Sequence, residues 1–514
     1  MDFLQFLAIF LVTILLIRTI INVFKPNHLP PSPFGLPIIG HLHLVSLPTH
    51  RSLHKLSLRY GSIFSIRLGS IPGVVISTPG LAKEFLKTNE LSFTSHINTI
   101  AISATSNDFS MSFSPYGPYW KFIKKLVMNE LLSSRCVGNF LPFRTEEYRR
   151  FFRFLAAKSE SVEAVNLSLE LRKLTNRLAS KMILGVDVED MLEEIRTAIL
   201  DTGHVVGGFN LADFFWFCKG FDLQGFGKKI EYVNARNESL FEKIICERED
   251  LRKKYKEDDK EIKLKSLLDV LLDVSEDENA EIKITRLHIK ALLLEFMNGS
   301  TDTMAMTVEW AIAEMINHPQ VFEKARDEIN RVVGKDRLAG ESDGSNLPYI
   351  QAIVKETLRL HPTFPILMRK CVQECQIGGK YIIPENTTLF VNAWAIGRDP
   401  NHWENPLEFR PERFLPQQVE IDGEKMNTGF VDVRGQHFQV LPFGSGRRMC
   451  TGMSLAMYIL PGLVAGLIQC FDWKVGSEKM ERDDNIVLDM DEAPGASAPR
   501  AYDLVCVPVA RFVP

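Results

Sequence analysis

Cys450 closes a glycine-rich loop, Pro442-Phe443-Gly444-Ser445-Gly446-Arg447-Arg448-Met449-Cys450-Thr451-Gly452, and the apolar, helix-like run Met453 to Phe471 follows at once. A thiolate in that place meets backbone N–H groups and a helix N-terminus, which hold negative charge and lower a thiol pKa. The loop glycines let the backbone come close to something flat and large. With no Cys or His nearby in sequence to share a zinc ion, one thiolate suits instead the axial position of a haem iron. Most lone cysteines are inert buried thiols. Here, however, Phe443, Gly446, Arg448, Cys450 and Gly452 stand at set intervals over ten positions.

A second group that could do chemistry is Asn298-Gly299-Ser300-Thr301-Asp302-Thr303. It lies inside Ala291 to Asn317, which reads as one helix of about 40 Å, apolar nearly all round and hence central. Gly, Ser and Thr cost helix stability, so a small polar patch in a buried helix needs a reason. Thr303 beside the carboxyl of Asp302 can hold water and relay protons into a dry pocket. Oxygen activation needs that service, because O–O cleavage consumes two protons. Charged pairs complete the inventory. Glu356 and Arg359 share one face of a helix ending at His361-Pro362. The same spacing recurs at Glu146/Arg149, Glu193/Arg196 and Glu249/Arg252, so spacing alone says little. Phe409-Arg410-Pro411-Glu412-Arg413-Phe414, the spacing Pro365 to Arg369, and Trp120 four residues before Lys124 are the remaining candidates.

The elements that must position these residues are mostly helical. Helical periodicity covers about 116–131, 141–157, 166–184, 188–204, 228–255, 285–317 and 318–334. Two strands lie within 62–78, joined at Ser70-Ile71-Pro72-Gly73. No repeat and no domain-scale linker appears. The fold class is therefore mostly α with a minor β portion, a single large domain over 41–514. In front of it, residues 3–24 carry one charge, Arg18, and as a helix are long enough to span a bilayer. The start is acidic and the basic residues Arg18 and Lys25 follow the apolar run, so 1–25 reads as an uncleaved anchor with the remaining chain in the cytosol. Residues 26–40 hold Pro30, Pro31, Pro33 and Pro37, a stiff hinge. A net charge of −4 gives no reason to expect nucleic acid. The eight cysteines are scattered; only Cys371 and Cys375 lie close, and free thiols in a reducing compartment are the reading.

The motifs and their order resemble the cytochrome P-450 family, from the hinge to the C-terminus. The resemblance implies that Cys450 is the axial ligand of haem b (iron protoporphyrin IX) in a loop that includes Phe443 and Gly444. It implies that Trp120, Lys124, Arg369 and Arg448 donate to haem propionates, with Lys124 standing where the family has Arg. Glu356, Arg359 and Arg413 would form a buried ion network behind the haem. Gly299 to Thr303 match the family's oxygen-activation pattern except at Ser300. Thr451 stands where plant members usually carry proline.

Three stretches, 431–452, 223–229 and 499–508, resemble plant flavonoid enzymes, most of all the flavone synthase II and flavanone 2-hydroxylase branch. That implies a monooxygenase of the endoplasmic reticulum membrane, its catalytic domain facing the cytosol. Such enzymes use dioxygen and NADPH electrons delivered by NADPH-cytochrome P-450 reductase, and would oxidise a flavanone such as naringenin to a flavone or 2-hydroxyflavanone. Hydroxylation of an isoflavonoid or triterpenoid, or a haem-thiolate isomerase or dehydratase activity, are the alternatives. Substrate-facing positions are expected in 95–111, at Gly207-Gly208-Phe209, at Asn298, Gly299 and Ser300, at Phe364 and Ile366 within 363–367, and in 494–498.

Overall fold

The computed structural model describes residues 28–513 except 107–108, 186–190, 261, 422–423, 429–430 and 476–486, together with scattered positions between 2 and 17. The expected anchor and the start of the hinge thus lie largely outside the described residues. In chain order the longer helices before the central pair are α1 (Thr49–Tyr60), α2 (Pro118–Glu130), α3 (Leu141–Glu160), α4 (Leu167–Ile183), α5 (Leu192–Val206), α6 (Phe226–Glu257) and α7 (Leu267–Glu276). Then come α8 (Arg286–Ser300), α9 (Asp302–Asn317), α10 (Pro319–Val332), α11 (Pro348–Leu360) and α12 (Met453–Cys470). Local chemistry sets several starts. Proline occupies the first turn of α2, α10 and α11, where its missing N–H costs nothing. Asn166 caps α4, and Ser266 with Asp269 forms a capping box on α7.

The main sheet is small. Strands β1 (Ile63–Leu68), β2 (Ile71–Ile76), β3 (Ile366–Lys370) and β4 (Thr388–Asn392) lie in the order β1-β2-β4-β3, with β2 and β4 parallel and the other pairs antiparallel. A second sheet joins β5 (Phe471–Val475), β6 (Val505–Ala510) and the two-residue strand Val165–Asn166. The proline-rich stretch is laid against the main sheet: Ser65 N–H donates to Pro31 O at 2.7 Å and Gly40 bridges to Leu68.

The core explains why so much of the sequence is helical and apolar. One cluster packs α3, α4, α9, α10, α11 and α12, with Phe152, Leu171, Val308, Ile312, Ile353 and Leu463 among its members. A second packs α2, α5, α6, α7 and α8. Helix α12 is long and apolar enough to cross a membrane, but most of it is buried between α9, α10 and α11, and it is the core helix of the domain.

The expected single helix from Ala291 to Asn317 is two helices, broken at Thr301 (φ −89°, ψ −71°). The cause lies in the side chains. Asn298, Ser300, Thr301 and Thr303 turn back and donate to the carbonyls of Leu294, Phe296, Met297 and Gly299 at 2.8, 2.6, 3.0 and 2.8 Å. Such back-bonding competes with the i→i−4 ladder and bends helices, and four instances within six residues break this one.

Candidate active site

The cysteine loop is built by close backbone approaches. Gly444 (φ +72°) and Gly446 (φ +74°) both take left-handed conformations, and a Cβ at Gly446 would meet Leu86 O at 2.8 Å. The Cys450 N–H donates to Phe443 O at 3.0 Å, which closes the loop. The N–H groups of Gly452 and Met453 hydrogen-bond the Cys450 sulfur at the start of α12. By area Cys450 is exposed, yet protein crowds it enough that desolvation raises its thiol pKa against those two amides. Thr451 lies just before the N-cap Gly452, not in the first helical turn as its sequence position suggests.

Cations gather beside that loop. Arg369, on β3, is buried; it donates to Arg448 O at 3.1 Å and lies 3.5 Å from His96 Nδ1. Desolvation and the neighbouring Arg448 pull Arg369 down to about 10, and desolvation lowers Arg448 to about 10. His96 is held well below its usual value by burial and by both arginines. Trp120 lies between two cations, with Lys124 Nζ 4.8 Å and the Arg448 guanidinium 4.7 Å from its ring centroid. Among the described residues neither Arg369 nor Arg448 has an ion-pair partner within 4.0 Å. Their donors go instead to backbone carbonyls, Thr94, Met111 and Ser114 for Arg448. A buried surplus of positive charge of this kind suits a bound dianion.

Behind the loop, Glu356, Arg359 and Arg413 are brought together. Both Glu356 oxygens accept from Arg359 at 2.7 Å, and Oε1 also accepts from Arg413 at 3.2 Å and from the Arg410 N–H at 2.8 Å. Arg359 spends its remaining donors on the carbonyls of Gly397, Pro406 and Glu408. Every charge of this group is buried and partnered, whereas the ion pairs of the same spacing at Glu146/Arg149 and Glu193/Arg196 lie at the surface.

Asp302 and Thr303 are adjacent but diverge. Burial raises the Asp302 carboxyl pKa, and Arg172, Arg196 and His204, from α4 and α5, oppose that rise. Thr303 donates to Gly299 O across the helix break. A carboxyl with raised pKa beside a hydroxyl at a helix distortion can pass protons inward from the α4–α5 side.

The segments expected to face substrate touch one another. Lys370 N–H donates to Ser95 O at 2.7 Å, and Ala498 N–H to Thr363 O at 3.0 Å. A Cβ at Gly207 would meet Ala496 Cβ at 3.7 Å, and Met111 N–H donates to Glu295 on α8. Ile366 is a correction. It packs with Met368 on the cluster under α1, whereas Leu367 and Arg369, on the opposite face of β3, lie 3.8 Å from where a Cβ on Gly444 would stand. The two-residue period of the strand makes the choice, so Leu367 and not Ile366 faces the cysteine loop. Phe364 is exposed, and Asn298, Gly299 and Ser300 lie beside the helix break with the donors of Asn298 and Ser300 turned to their own helix. His96 and Glu295 escaped the sequence reading. His96 sits in an irregular loop with no spacing to mark it; Glu295 had a signal, as the one acid in Ala291-Leu292-Leu293-Leu294-Glu295-Phe296-Met297.

These residues fit a haem. No group of three or more His, Cys, Asp or Glu among the described residues could hold a metal by itself. Cys450 would therefore bind iron only as one ligand of a group that brings the others, and the Arg369–Arg448–His96–Lys124 cluster would meet that group's two carboxylates. The geometry is that of a haem-thiolate protein. The cytochrome P450 family profile matches residues 30–492, and the chain belongs to that family. It is 49% identical over 98% of its length to cytochrome P450 93B2 of Gerbera hybrida, covering 97% of that protein. It is 48% identical to 3,9-dihydroxypterocarpan 6A-monooxygenase of Glycine max and 47% identical to 2-hydroxyisoflavanone synthase of Glycyrrhiza uralensis, over 95% of its length in each case, covering 94% and 92% of those proteins. A zebra fish cytochrome P450 solved with progesterone has the same fold, with a TM-score of 0.72 at 23% identity over 90% of this chain and 100% of the other. The chain is thus a monooxygenase of the P450 class, with haem iron as cofactor and dioxygen, a small molecule and an electron-supplying partner as reactants.

Proposed function

We propose that this monooxygenase oxidises a flavanone, naringenin or a close relative, to the flavone or the 2-hydroxyflavanone. The observation that carries this is near-full-length identity of 47–48% to two enzymes named for isoflavonoid-type compounds, one as substrate and one as product, on a site whose central helix offers little free polarity. Asn298 and Ser300 spend their donors within that helix, which leaves a wall suited to a flat aromatic body with few polar anchors.

Haem held by Cys450 would supply the oxidising chemistry, using dioxygen and electrons that we assign to NADPH through NADPH-cytochrome P-450 reductase. The chain's own residues do the rest. The Gly452 and Met453 N–H groups support charge on the Cys450 sulfur. Arg369, Arg448 and His96, with Lys124 and the Trp120 ring beside them, would hold the haem's carboxylates. Asp302 accepts a proton from the side of Arg172 and Arg196, and Thr303 passes it inward. Glu356, Arg359 and Arg413 would keep the cysteine loop folded to receive the haem. Leu367 and the 494–498 segment hold the substrate so that its C2 hydrogen is the one removed. Residues 1–25 anchor the enzyme in the endoplasmic reticulum membrane and 26–40 connect the anchor to the cytosolic catalytic domain.

Microsomes containing the full chain and the reductase, given naringenin and NADPH, should yield a product lacking two hydrogens or gaining one oxygen. Absence of turnover with any flavanone would refute the proposal. A second reading, attack on an isoflavonoid, follows from the names of the two relatives. Offering both substrates in competition separates them, since kcat/KM decides which one the site is built for.

A further inference from the structure

Residues 109–114 lead from the substrate-facing segment towards α2 without regular secondary structure, so their backbone groups need partners from elsewhere. Two charged side chains supply them from opposite sides. Glu295, on α8, accepts the N–H of Met111 at 2.5 Å and that of Ser112 at 2.7 Å. Arg448 donates to the carbonyls of Met111, Ser112 and Ser114 at 3.0, 3.3 and 2.6 Å. The same two residues, Met111 and Ser112, are thus gripped by a carboxylate through their donors and by a guanidinium through their acceptors. Arg448 lies two residues before Cys450, and Glu295 lies one turn before Asn298. One short loop thereby connects the cysteine loop, helix α8 just before its break, and the substrate-facing wall.

Burying a carboxylate there has a cost. Desolvation raises the Glu295 pKa, and the Ser112 and Met111 N–H donors with nearby Arg448 oppose it. Glutamine would be cheaper to bury and would serve if only shape mattered. A glutamine, however, turns one donor towards an N–H that also needs an acceptor.

We propose that Glu295 is a positioning residue, whose carboxylate holds Met111 and Ser112 in place against the substrate and keeps Arg448 on the far side of the same loop. Its hydrogen-bond partners are the backbone N–H groups of that loop, so it would act through the loop and Arg448. The part that concerns substrate rests on the flavanone reading; the part that concerns the loop does not.

The test uses full-length, haem-loaded protein in detergent, comparing wild type with Glu295→Gln and Glu295→Asp. Three readouts are taken: hydrogen exchange of the peptide spanning 109–114, a spectral titration with naringenin, and a spectral titration with imidazole, which binds iron without help from the loop. In Glu295→Gln, exchange at 109–114 should accelerate by about tenfold and the naringenin Kd rise by about tenfold or more, the loss expected of hydrogen bonds to a charged acceptor. Imidazole binding should stay within about twofold. Glu295→Asp keeps the charge and should fall between the two; should Glu295→Gln fail to take up haem, Glu295→Asp carries the comparison. Unchanged exchange at 109–114 overturns the proposal, as does faster exchange with unaltered naringenin affinity. Equal loss of naringenin and imidazole also overturns it, showing a general packing role. If wild type itself ignores naringenin while exchange still accelerates in the variant, the loop clamp stands and the flavanone reading fails.

Discussion

The Cys450 sulfur receives two backbone N–H groups and is nonetheless pushed up in pKa by burial, and a cation placed against it would favour the thiolate. The haem iron is that cation in this family. Thr303 and Asp302 do a different job, and at this scale the prediction is about coupling. Thr303→Ala removes the hydroxyl that bonds to Gly299 O, and NADPH oxidation should continue while product formed per NADPH falls by about tenfold or more. Parallel measurement of NADPH consumption and product checks this; an unchanged ratio excludes Thr303 from proton delivery. The residue scale also shows where reading by spacing stops. Cys450, Arg448 and Glu356 were legible because their neighbours fix their meaning. His96 was not, since its role comes only from the fold bringing 96 beside 369 and 448.

The central helix and the helix–loop network behind the cysteine show what elements add. Periodicity identifies Ala291 to Asn317 as helical, but periodicity is blind to side chains folding back on their own carbonyls, and the break at Thr301 follows from four of them. Ile366 shows a related limit: no strand was read there, and the register of Ile366–Lys370 against Thr388–Asn392, which turns Leu367 and Arg369 towards the cysteine loop, comes only from the fold. Glu356 joins α11 to the Arg413 segment, and its buried carboxylate balances two guanidiniums. Glu356→Gln leaves both without an ion-pair partner among the described residues and should cost about 3–5 kcal/mol. The measurable result is a large fall in haem-loaded protein, read from the reduced carbon-monoxide difference spectrum per milligram; normal haem content would contradict it.

For the whole molecule, the C-terminal segment is tied back to the N-terminal part of the domain by Glu492, which accepts from His50 and from Arg51 at 2.9 Å. Burial works against its ionisation, but the His50 hydrogen bond and the charges of His50, Arg51 and Arg398 outweigh burial and hold it at about 2. A depressed carboxyl contributes stability above its unfolded pKa of about 4.3 and loses it as pH falls towards the folded value. The difference in unfolding free energy between wild type and Glu492→Gln should therefore be on the order of 3 kcal/mol near pH 6 and about half that near pH 3. Urea melts at the two pH values test the slope, and a difference independent of pH would remove Glu492 from the account. The one-domain helical architecture with a minor sheet was legible from helix periodicity and motif order. The meeting of 95 with 370, 363 with 498, and 207 with 496 was not, because those contacts join segments far apart in sequence.

The most direct test of flavanone oxidation follows the hydrogen that the site must remove. Naringenin carrying deuterium at C2, incubated with the full chain, the reductase and NADPH, should give product from which that deuterium is gone, as read by mass spectrometry. Product that keeps its C2 deuterium would place the attack elsewhere on the molecule and contradict the account.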